Sequence, residues 1–252
     1  MADKTFDGRV AIITGGGRGF GKAFGLALTE QGAKVVLADM DAAAGEAAAA
    51  EIRDAGGDAR AFACDVTDET RVEALMADTA EQLGGIDILI NNAGLHSAEY
   101  SQPMGVLGLP KVRRLFDVNV MGLVICTLAA RPVMAGRPGA SVFNISSSAA
   151  YSSGGAYGVS KLAVRGLTMA FARELGPDGI RVNAVAPGLI LTDTIRAELP
   201  PETLDAVKNQ QILALDGTEA DIVDTMLFLC SEKARFVTGE TVRVSAGFAL
   251  CI

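Results

Sequence analysis

The sequence contains no tryptophan and a single histidine, His96, and aromatic residues make up only 5% of its 252 residues. A histidine-rich metal site is therefore excluded, and so is a serine–histidine–aspartate triad unless His96 serves it. The few cysteines lie far apart and form no CxxC pair, which favours reduced buried thiols over a disulfide framework or a zinc site. They are Cys64, Cys126, Cys230 and Cys251. We therefore expect no bound metal.

Positive charge is also scarce. The 22 lysine and arginine residues are outnumbered by 30 aspartate and glutamate residues, which gives a net charge of −8. Phosphate backbones require a basic surface, so nucleic acid is not an expected partner. No apolar run approaches the roughly 18 residues of a membrane span, and residues 1–17 hold no apolar segment long enough for a signal peptide. We expect a cytoplasmic protein that binds no membrane.

Short apolar runs, rich in β-branched residues, alternate with stretches of helical propensity along the whole chain. Strands are predicted at Val10–Thr14, Lys34–Ala38, Ala59–Cys64, Ile86–Ile90, Ala140–Ser146, Ile180–Ala186 and Glu240–Val244. Helices are predicted at Phe20–Gln31, Ala42–Ala55, Thr67 or Asp68 to Gln82, Lys111–Ala135, Tyr157–Leu175 and Thr218–Cys230. Because βαβ crossovers are right-handed, this order predicts an α/β fold. We expect a single-domain, Rossmann-type, doubly wound parallel sheet of about seven strands, with helices on both faces.

A glycine-rich turn, Thr14-Gly15-Gly16-Gly17-Arg18-Gly19-Phe20-Gly21, directly follows the first predicted strand. Glycines let the backbone turn tightly and approach a pyrophosphate closely, and the next helix offers unpaired N–H groups to that anion. Asp39 ends the second strand, where its carboxylate can accept hydrogen bonds from both hydroxyls of an adenosine ribose. A plain turn and a helix cap are the alternatives, but the full combination favours a dinucleotide site.

With these residues the sequence resembles the short-chain dehydrogenase/reductase family over nearly its whole length. The motifs are TGxxxGxG at Thr14–Gly21, the aspartate after the third strand in Asp65-Val66, NNAG at Asn91–Gly94, the helix asparagine Asn119, YxxxK at Tyr157 and Lys161, and PG at Pro187-Gly188. Any one motif could arise by chance, whereas their shared order and placement at strand ends make the joint match specific.

The resemblance implies a nicotinamide cofactor and a set of residues around it. Asp65 and Val66 would contact the adenine, and Asn92, Ile190 and Thr192 would place the nicotinamide. Lys161 would also bind the nicotinamide ribose. The full implied set is Gly15, Arg18, Gly19, Phe20, Gly21, Asp39, Asp65, Val66, Asn92, Gly94, Tyr157, Lys161, Pro187, Gly188, Ile190 and Thr192. The resemblance also implies a homotetramer or homodimer.

Tyr157 and Lys161 lie four residues apart, so they share one face of the predicted helix. A free tyrosine has a pKa near 10 and is a poor base at neutral pH. We expect a cationic Lys161 to favour the Tyr157 phenolate, lowering its pKa by roughly two units before desolvation opposes the effect. Tyr157 would then exchange a proton with a substrate hydroxyl during hydride transfer. An ordinary solvated Tyr–Lys pair is the alternative without the other motifs.

Three consecutive serines, Ser146-Ser147-Ser148, end the fifth strand. Side chains alternate along a strand, so the three cannot all face the site. The resemblance assigns the catalytic role, orientation of the substrate oxygen, to Ser147. Ser147 precedes Tyr157 by only 10 residues, fewer than is usual in the family, which leaves Ser148 as the alternative. The resemblance also implies that Asn119 helps to hold a water linking Lys161 to solvent.

The remaining predictions concern the walls of the substrate pocket. Residues 193–215 are interpreted as a lid over the substrate, with a plain surface helix as the alternative. His96 is interpreted as a partly exposed loop residue, with a substrate contact as the alternative. The chain has Ser245-Ala246-Gly247 where the family usually has Asp-Gly-Gly. Pocket-lining candidates are Tyr151, Leu189, Leu191 and Ile195, and the tail Phe248–Ile252 is a candidate for packing at a subunit interface.

These observations lead to one preferred function. We predict an oxidoreductase that transfers hydride between NAD(H) and a small secondary alcohol or ketone. NADP is less favoured, because a 2′-phosphate would lie beside the Asp39 carboxylate, whereas Arg18 can turn to solvent. The alternatives are an NADPH-dependent ketone reductase, in which Arg18 binds the 2′-phosphate, and a non-catalytic nucleotide-binding regulatory protein.

Overall fold

The structure, a computed structural model, describes residues 4–96, 99–152, 155–192 and 201–248. Its centre is a seven-stranded parallel sheet with the strand order β3-β2-β1-β4-β5-β6-β7. The strands are β1 Val10–Thr14, β2 Lys34–Asp39, β3 Asp58–Ala63, β4 Ile88–Asn91, β5 Ser141–Ile145, β6 Arg181–Pro187 and β7 Thr241–Val244. The predicted fold class is confirmed, and the strand bounds differ from the predicted ones by at most two residues.

Helices connect the strands and cover both faces of the sheet. The main helices are α1 Gly19–Glu30, α2 Ala42–Asp54, α3 Glu69–Leu83, α5 Leu109–Phe116, α6 Gly122–Met134, α8 Ala156–Leu175 and α10 Glu219–Cys230. Shorter helices are α4 Met104–Leu107, α7 Ala149–Ser152 and α9 Pro201–Lys208. A π-helical turn, Asp117–Met121, joins α5 to α6, so that Leu109–Met134 is one continuous helical stretch.

Two apolar layers form because side chains alternate across each strand. Ile13 of β1 packs in the layer that holds Phe24 of α1 and Ile222 of α10. Its neighbour Ile12 packs in the opposite layer, which holds Leu75 of α3 and residues of α6 and α8. The sheet is therefore buried on both faces, as continuous apolar strands predict.

The site follows from the direction of the strands. All of them are parallel, so Thr14, Asp39, Asn91, Ile145 and Pro187 reach the same edge of the sheet. The strand order reverses between β1 and β4, which opens a crevice at that edge. Open α/β sheets bind their ligands at such a switch point.

Two short helices differ from the sequence predictions. The short helices α4 and α7 were not predicted, because four-residue helices carry almost no periodic signal. The predicted lid contains α9, while residues 193–200 lie outside the described part of the chain. Backbone hydrogen bonds hold both ends of the predicted lid. Before it, Leu191 N donates to Gly217 O, and near its end Ile212 N donates to Ala246 O.

The helical stretch Leu109–Met134 is long and apolar enough to cross a membrane, with a mean hydropathy of 1.4 in its most apolar window. The sequence analysis did not anticipate this, because charged residues interrupt the apolar run near its start. The core helices of many soluble proteins meet the same criterion. In this stretch Leu115, Leu123 and Cys126 are buried against the rest of the chain.

Candidate active site

The glycine turn lies between β1 and α1 and leaves no room for a side chain at Gly15 or Gly21. Gly15 has φ +62°, and a Cβ there would lie 2.9 Å from Ala93 Cα. A Cβ on Gly21 would collide with the carbonyl oxygen of Gly15. Among the described residues, no side chain caps the N-terminus of α1, whose first N–H groups are thus left for a ligand. This cradle fits the pyrophosphate of a dinucleotide.

Asp39 lies beside this turn, as predicted. It is 9% exposed, and its Oδ2 accepts a hydrogen bond from Gly17 N at 2.9 Å. Its Oδ1 accepts one from Asp41 N, also at 2.9 Å. The carboxylate is therefore fixed at the end of β2, where the ribose of a bound dinucleotide was predicted.

Asp65 and Val66 follow β3, near the same edge. Burial raises the pKa of Asp65, but the hydrogen bonds from Thr67 and Arg114 outweigh it, so the net pKa is lowered. Arg114 Nη2 lies 3.3 Å from Asp65 Oδ2, an ion pair that the sequence analysis missed. Val66 is buried against Gly122, where a Cβ would lie 2.6 Å from Val66 Cγ2. Both residues are therefore held firmly at the predicted adenine position.

The NNAG segment closes the glycine turn from the β4 side. Asn92 Nδ2 donates to Thr14 O at 3.0 Å and to Gly15 O at 2.9 Å. Ala93 N donates to Thr14 Oγ1. Asn92 thus stabilises the turn, a role that the sequence analysis did not foresee; its nicotinamide contact stays a prediction.

Asn119 lies on the π-helical turn and is 2% exposed. Its Oδ1 accepts a hydrogen bond from Leu95 N at 2.7 Å, and its Nδ2 donates to Leu95 O and to Ser160 Oγ. A Cβ on Gly94 would lie 3.3 Å from Asn119 Oδ1 and 3.4 Å from Lys161 Nζ. Asn119 therefore links the loop after β4 to the helix that carries Tyr157 and Lys161.

Below these residues lies a cavity of about 10 Å³, which has room for roughly one water molecule. Its lining includes Thr14, Asn91, Asn119 and Lys161. Asn91 Nδ2 donates to Thr127 Oγ1 and to Asn144 Oδ1, while Asn91 Oδ1 is buried without a hydrogen-bond partner among the described residues. The cavity thus offers polar groups next to Lys161.

The three serines at the end of β5 have different surroundings. Ser146 is buried and its hydroxyl donates to Lys161 O at 2.9 Å. Ser148 is buried, and its backbone N donates to Pro187 O. Ser147 Oγ accepts a hydrogen bond from Ala149 N at 3.2 Å, and Ser147 is the serine whose hydrogen bond acts to lower the pKa of Tyr157. This effect on the pKa favours Ser147 over Ser148 as the partner of Tyr157, and the catalytic role of Ser147 stays a prediction.

The pKa of Tyr157 differs from the expectation. Burial raises this pKa, and the hydrogen bond from Ser147, which stabilises the phenolate, only partly offsets it. Lys161 Nζ lies 5.9 Å from the centroid of the Tyr157 ring and donates to Ile145 O at 2.9 Å. Burial also lowers the pKa of Lys161 to about 8. The prediction that the pKa of Tyr157 is lowered was wrong, because burial removes hydration from both the Tyr157 phenolate and the Lys161 ammonium group.

The PG segment follows β6 and completes the edge. Gly188 N donates to Val244 O, and a Cβ on Gly188 would lie 2.7 Å from Ser245 Cα. Ile190 is buried in the apolar layer beneath the sheet edge, and Thr192 N donates to its carbonyl oxygen. Ile190 thus shapes this segment through packing; the predicted nicotinamide contact of Ile190 and Thr192 stays a prediction.

The weaker candidates are spread over this edge. His96 is exposed in the loop after β4, in line with its interpretation as a loop residue. The Tyr151 ring centroid lies 3.8 Å from Arg165 Cζ and 4.6 Å from Arg243 Cζ, and its place in the pocket wall stays a prediction. Ala246 adopts φ +50°, a conformation that a glycine takes more easily. Leu189 and Leu191 flank Ile190, and Ile195 and residues 249–252 lie outside the described residues.

The cysteines and possible metal ligands add no chemistry to the site. Within the described ranges no group of three histidine, cysteine, aspartate or glutamate residues could hold a metal ion. Cys64, Cys126 and Cys230 are buried free thiols. Burial raises the pKa of Cys64 to about 11 and that of Cys230 to about 12, so both stay protonated at neutral pH. Cys251 lies outside the described part of the chain.

Comparison with known proteins decides the family. A family described as Enoyl-(Acyl carrier protein) reductase matches residues 15–249. The chain belongs to the short-chain dehydrogenase/reductase family. It is 38% identical to an uncharacterised oxidoreductase of Mycobacterium tuberculosis over 242 residues, 96% of this chain and 98% of that protein. As a member of this family it is an oxidoreductase.

Two further relatives carry names that specify a reaction. The 7alpha-hydroxysteroid dehydrogenase of Escherichia coli is 36% identical over 96% of this chain and 94% of its own length. The 3-oxoacyl-[acyl-carrier-protein] reductase of Staphylococcus aureus is 36% identical over 94% of this chain and 96% of its own length. The family therefore includes proteins with different substrates at this level of similarity.

Solved structures of the family contain nicotinamide cofactors. A 7 alpha-hydroxysteroid dehydrogenase complexed with NADH and 7-oxo glycochenodeoxycholic acid superposes with a TM-score of 0.91 at 34% identity, covering 98% of this chain and 96% of that one. A blue fluorescent protein from a metagenomic library, in complex with NADPH, superposes with a TM-score of 0.88 at 33% identity, covering 98% and 100%. The chain's relatives thus bind nicotinamide cofactors of both kinds.

Proposed function

We propose that this oxidoreductase uses NAD(H) to interconvert a secondary alcohol and its ketone, with Tyr157 as the proton donor and acceptor. The observation that carries the proposal is the pairing of Tyr157 with Lys161, whose Nζ lies 5.9 Å from the Tyr157 ring centroid, while a hydrogen bond from Ser147, at the carboxyl end of β5, acts to lower the Tyr157 pKa. A protein that only binds nucleotides needs neither this bond nor a buried lysine beside it. The names of two relatives specify a hydroxysteroid and a 3-oxoacyl group, which is consistent with this substrate class.

The crevice fits the cofactor in two respects. The glycine cradle would hold the pyrophosphate, and the fixed Asp39 carboxylate would accept hydrogen bonds from the ribose hydroxyls. Asp65 and Val66 would contact the adenine, and the segments around Asn92 and Pro187-Gly188 would hold the nicotinamide end. When bound, the cofactor accepts or gives the hydride.

The chain's own residues then handle the proton. Ser147 would bind the substrate oxygen and orient it towards Tyr157. Tyr157 Oη takes the hydroxyl proton during oxidation and returns it during reduction. Lys161, held by the Ile145 carbonyl oxygen, would favour the phenolate whenever it is protonated. Asn119 connects the loop after β4, through Leu95, to α8, through Ser160, and so holds these two segments around the site.

A screen for turnover tests the proposal. The purified protein is incubated with NAD⁺ or NADP⁺ and a panel of secondary alcohols, and with the reduced cofactors and ketones, while the near-ultraviolet absorbance of the reduced nicotinamide is followed. We expect turnover, with kcat/KM for NAD⁺ at least about tenfold above that for NADP⁺. Products are identified by mass spectrometry.

The Tyr157→Phe variant is the matched control, because it keeps the ring and removes only the hydroxyl. We expect it to lose turnover and to bind NADH as the original protein does. Binding of cofactor without turnover across the panel would favour the non-catalytic interpretation. A preference for NADPH would favour the reductase alternative, and an active Tyr157→Phe variant would show that another group carries the proton.

A further inference from the structure

A second carboxylate, that of Asp41, lies beside Asp39 at the end of β2. Asp41 caps the N-terminus of α2, since its Oδ1 accepts a hydrogen bond from Ala44 N at 3.1 Å. The hydrogen bond from Ala44 and the charge of Arg18 lower the pKa of Asp41, although desolvation opposes them. Asp41 is therefore ionised at neutral pH, two residues from the carboxylate predicted to bind the ribose.

Arg18 of the glycine turn is paired with this carboxylate. Its Nη2 donates to Asp41 Oδ2 at 2.7 Å, although 70% of the Arg18 side chain is exposed. The next basic residue, Lys22 on α1, is also engaged, since its Nζ lies 3.0 Å from Glu51 Oε2 on α2. Arg18, in the glycine turn, is thus already held by an anion of the chain.

Backbone hydrogen bonds connect the Arg18–Asp41 ion pair to Asp39. Gly17, which precedes Arg18, donates its N–H to Asp39 Oδ2, and Asp41 donates its own N–H to Asp39 Oδ1. A Cβ on Gly17 would lie 2.9 Å from Asp39 Oδ2, which shows how closely the turn approaches. Arg18, Asp39 and Asp41 therefore form one charged corner with a net charge of −1.

We propose that Asp41 is a second determinant of cofactor specificity, which disfavours NADP(H) by adding negative charge to this corner and by holding Arg18 in an ion pair. The inference rests on the proposed use of NAD(H). A 2′-phosphate carries nearly two negative charges and would need Arg18 as its partner, so Arg18 would have to leave Asp41. A cofactor with free ribose hydroxyls does not need Arg18 as a partner, so the Arg18–Asp41 ion pair remains in place when it binds.

Asp41→Asn tests this inference without disturbing the helix, because asparagine caps helices about as well as aspartate. The dissociation constants of NADH and NADPH are measured by the fluorescence of the bound nicotinamide, so no substrate is needed. An exposed ion pair and a nearby screened charge have modest effects, so we expect NADPH to bind about three- to tenfold more tightly. The dissociation constant of NADH should change by less than about twofold.

Two variants serve as controls. Glu51→Gln also removes one negative charge, from the exposed ion pair between Lys22 of α1 and Glu51 of α2. It should leave the ratio of the two dissociation constants unchanged. In the Arg18→Gln/Asp41→Asn double variant only the part of the gain in NADPH affinity that comes from the removed negative charge should remain, because the freed guanidinium is absent. An undiminished gain in the double variant would overturn the role of the ion pair.

The outcome for Asp41 is separable from that of the proposed function. An unchanged NADPH-to-NADH ratio in Asp41→Asn would overturn the inference, even if Asp39→Asn improved NADPH binding and the NAD preference stood. If the original protein binds NADPH more tightly than NADH, the proposed cofactor preference fails, and the role of Asp41 fails with it. A change in the NADH constant alone would assign Asp41 to ribose binding and contradict the proposal.

Discussion

Lys161 is a buried cation, 5% exposed, whose ammonium group donates to Ile145 O. Burial lowers its pKa from 10.5 to about 8, because the charged form loses its hydration. Between these two pH values the unfolded chain binds more protons than the folded chain, so this residue's contribution to the free energy of unfolding rises with pH. Below the lower value both states are protonated and the full penalty of about 3 kcal/mol applies.

Replacing Lys161 by methionine removes this penalty. We expect the free energy of unfolding of Lys161→Met, relative to the original protein, to fall by about 3 kcal/mol as the pH rises through that window. Urea denaturation over a pH series measures the difference, and the cysteines with raised pKa values cancel because both proteins contain them. Lys233→Met, at an exposed position, is the control. A difference that does not vary with pH would contradict the prediction.

The serines at the end of β5 differ in what they contact. Ser147→Ala removes the hydrogen bond to Tyr157 and should lower kcat by roughly 10²–10³-fold, the usual effect of losing one such donor. Ser146→Ala and Ser148→Ala should cost much less, because their side chains do not make that bond. Steady-state kinetics of the three variants compares them. If Ser148→Ala is the damaging change, the assignment of Ser147 is wrong.

At the scale of elements, the short helix α7 joins the catalytic segment of β5 to α8. Ala150 N donates to Ser147 O and Tyr151 N to Ser148 O, so the first turn of α7 continues directly from the serines. The Tyr151 ring contacts Arg165 of α8 and Arg243 of β7. The contact connects α7 to α8 and to β7.

The Tyr151 contact should be measurable as stability. Each cation–π pair is worth about 0.5–2 kcal/mol, so Tyr151→Leu should lower the free energy of unfolding by about 1–3 kcal/mol. Tyr151→Phe keeps the π face and should cost less than about 1 kcal/mol. A double-mutant cycle with Arg165→Met should give a coupling energy of about 1 kcal/mol. Additive effects in that cycle would show that the ring and the guanidinium do not interact.

At the scale of the whole molecule, large apolar side chains remain exposed on two helices. Met121 and Leu128 lie seven residues apart on the stretch Leu109–Met134, and Leu162 and Met169 lie seven apart on α8. Residues seven apart share one side of a helix. Such exposed apolar side chains are typical of an interface between subunits. The homotetramer or homodimer that the family resemblance implies stays a prediction, and we expect its interface at these side chains.

Charged substitutions on α8 test this assembly. We expect the double variant Leu162→Lys/Met169→Lys to form a smaller species than the original protein, because two ammonium groups would lie in an apolar interface. Light scattering after size-exclusion chromatography gives the mass of each species. Met40→Lys, at another exposed apolar position, is the control and should leave the mass unchanged. An unchanged mass of the α8 variant would exclude this face as the interface.

The sequence by itself determined the fold and the place of the site. Apolar runs such as Val10–Thr14 predict strands, because the preference for a buried strand is set by residues that are neighbours in the sequence. The glycine turn and Asp39 were predicted for the same reason, since a turn and the end of a strand are local features. The motif order predicted Asn119, Tyr157 and Lys161 as site residues, and in the structure Asn119 and Lys161 both lie beside Gly94, with Tyr157 next to Lys161.

Only the tertiary structure decided which groups meet at that edge and how they are charged. The effect of Ser147 on the Tyr157 pKa depends on how β5 packs against α8, and the pairing of Arg18 with Asp41 depends on how closely the residues that precede α1 and α2 approach each other. The raised pKa of Tyr157 follows from burial, which no local pattern reveals. These properties arise from contacts between residues far apart in the chain, so their energies are set by packing and desolvation rather than by sequence spacing.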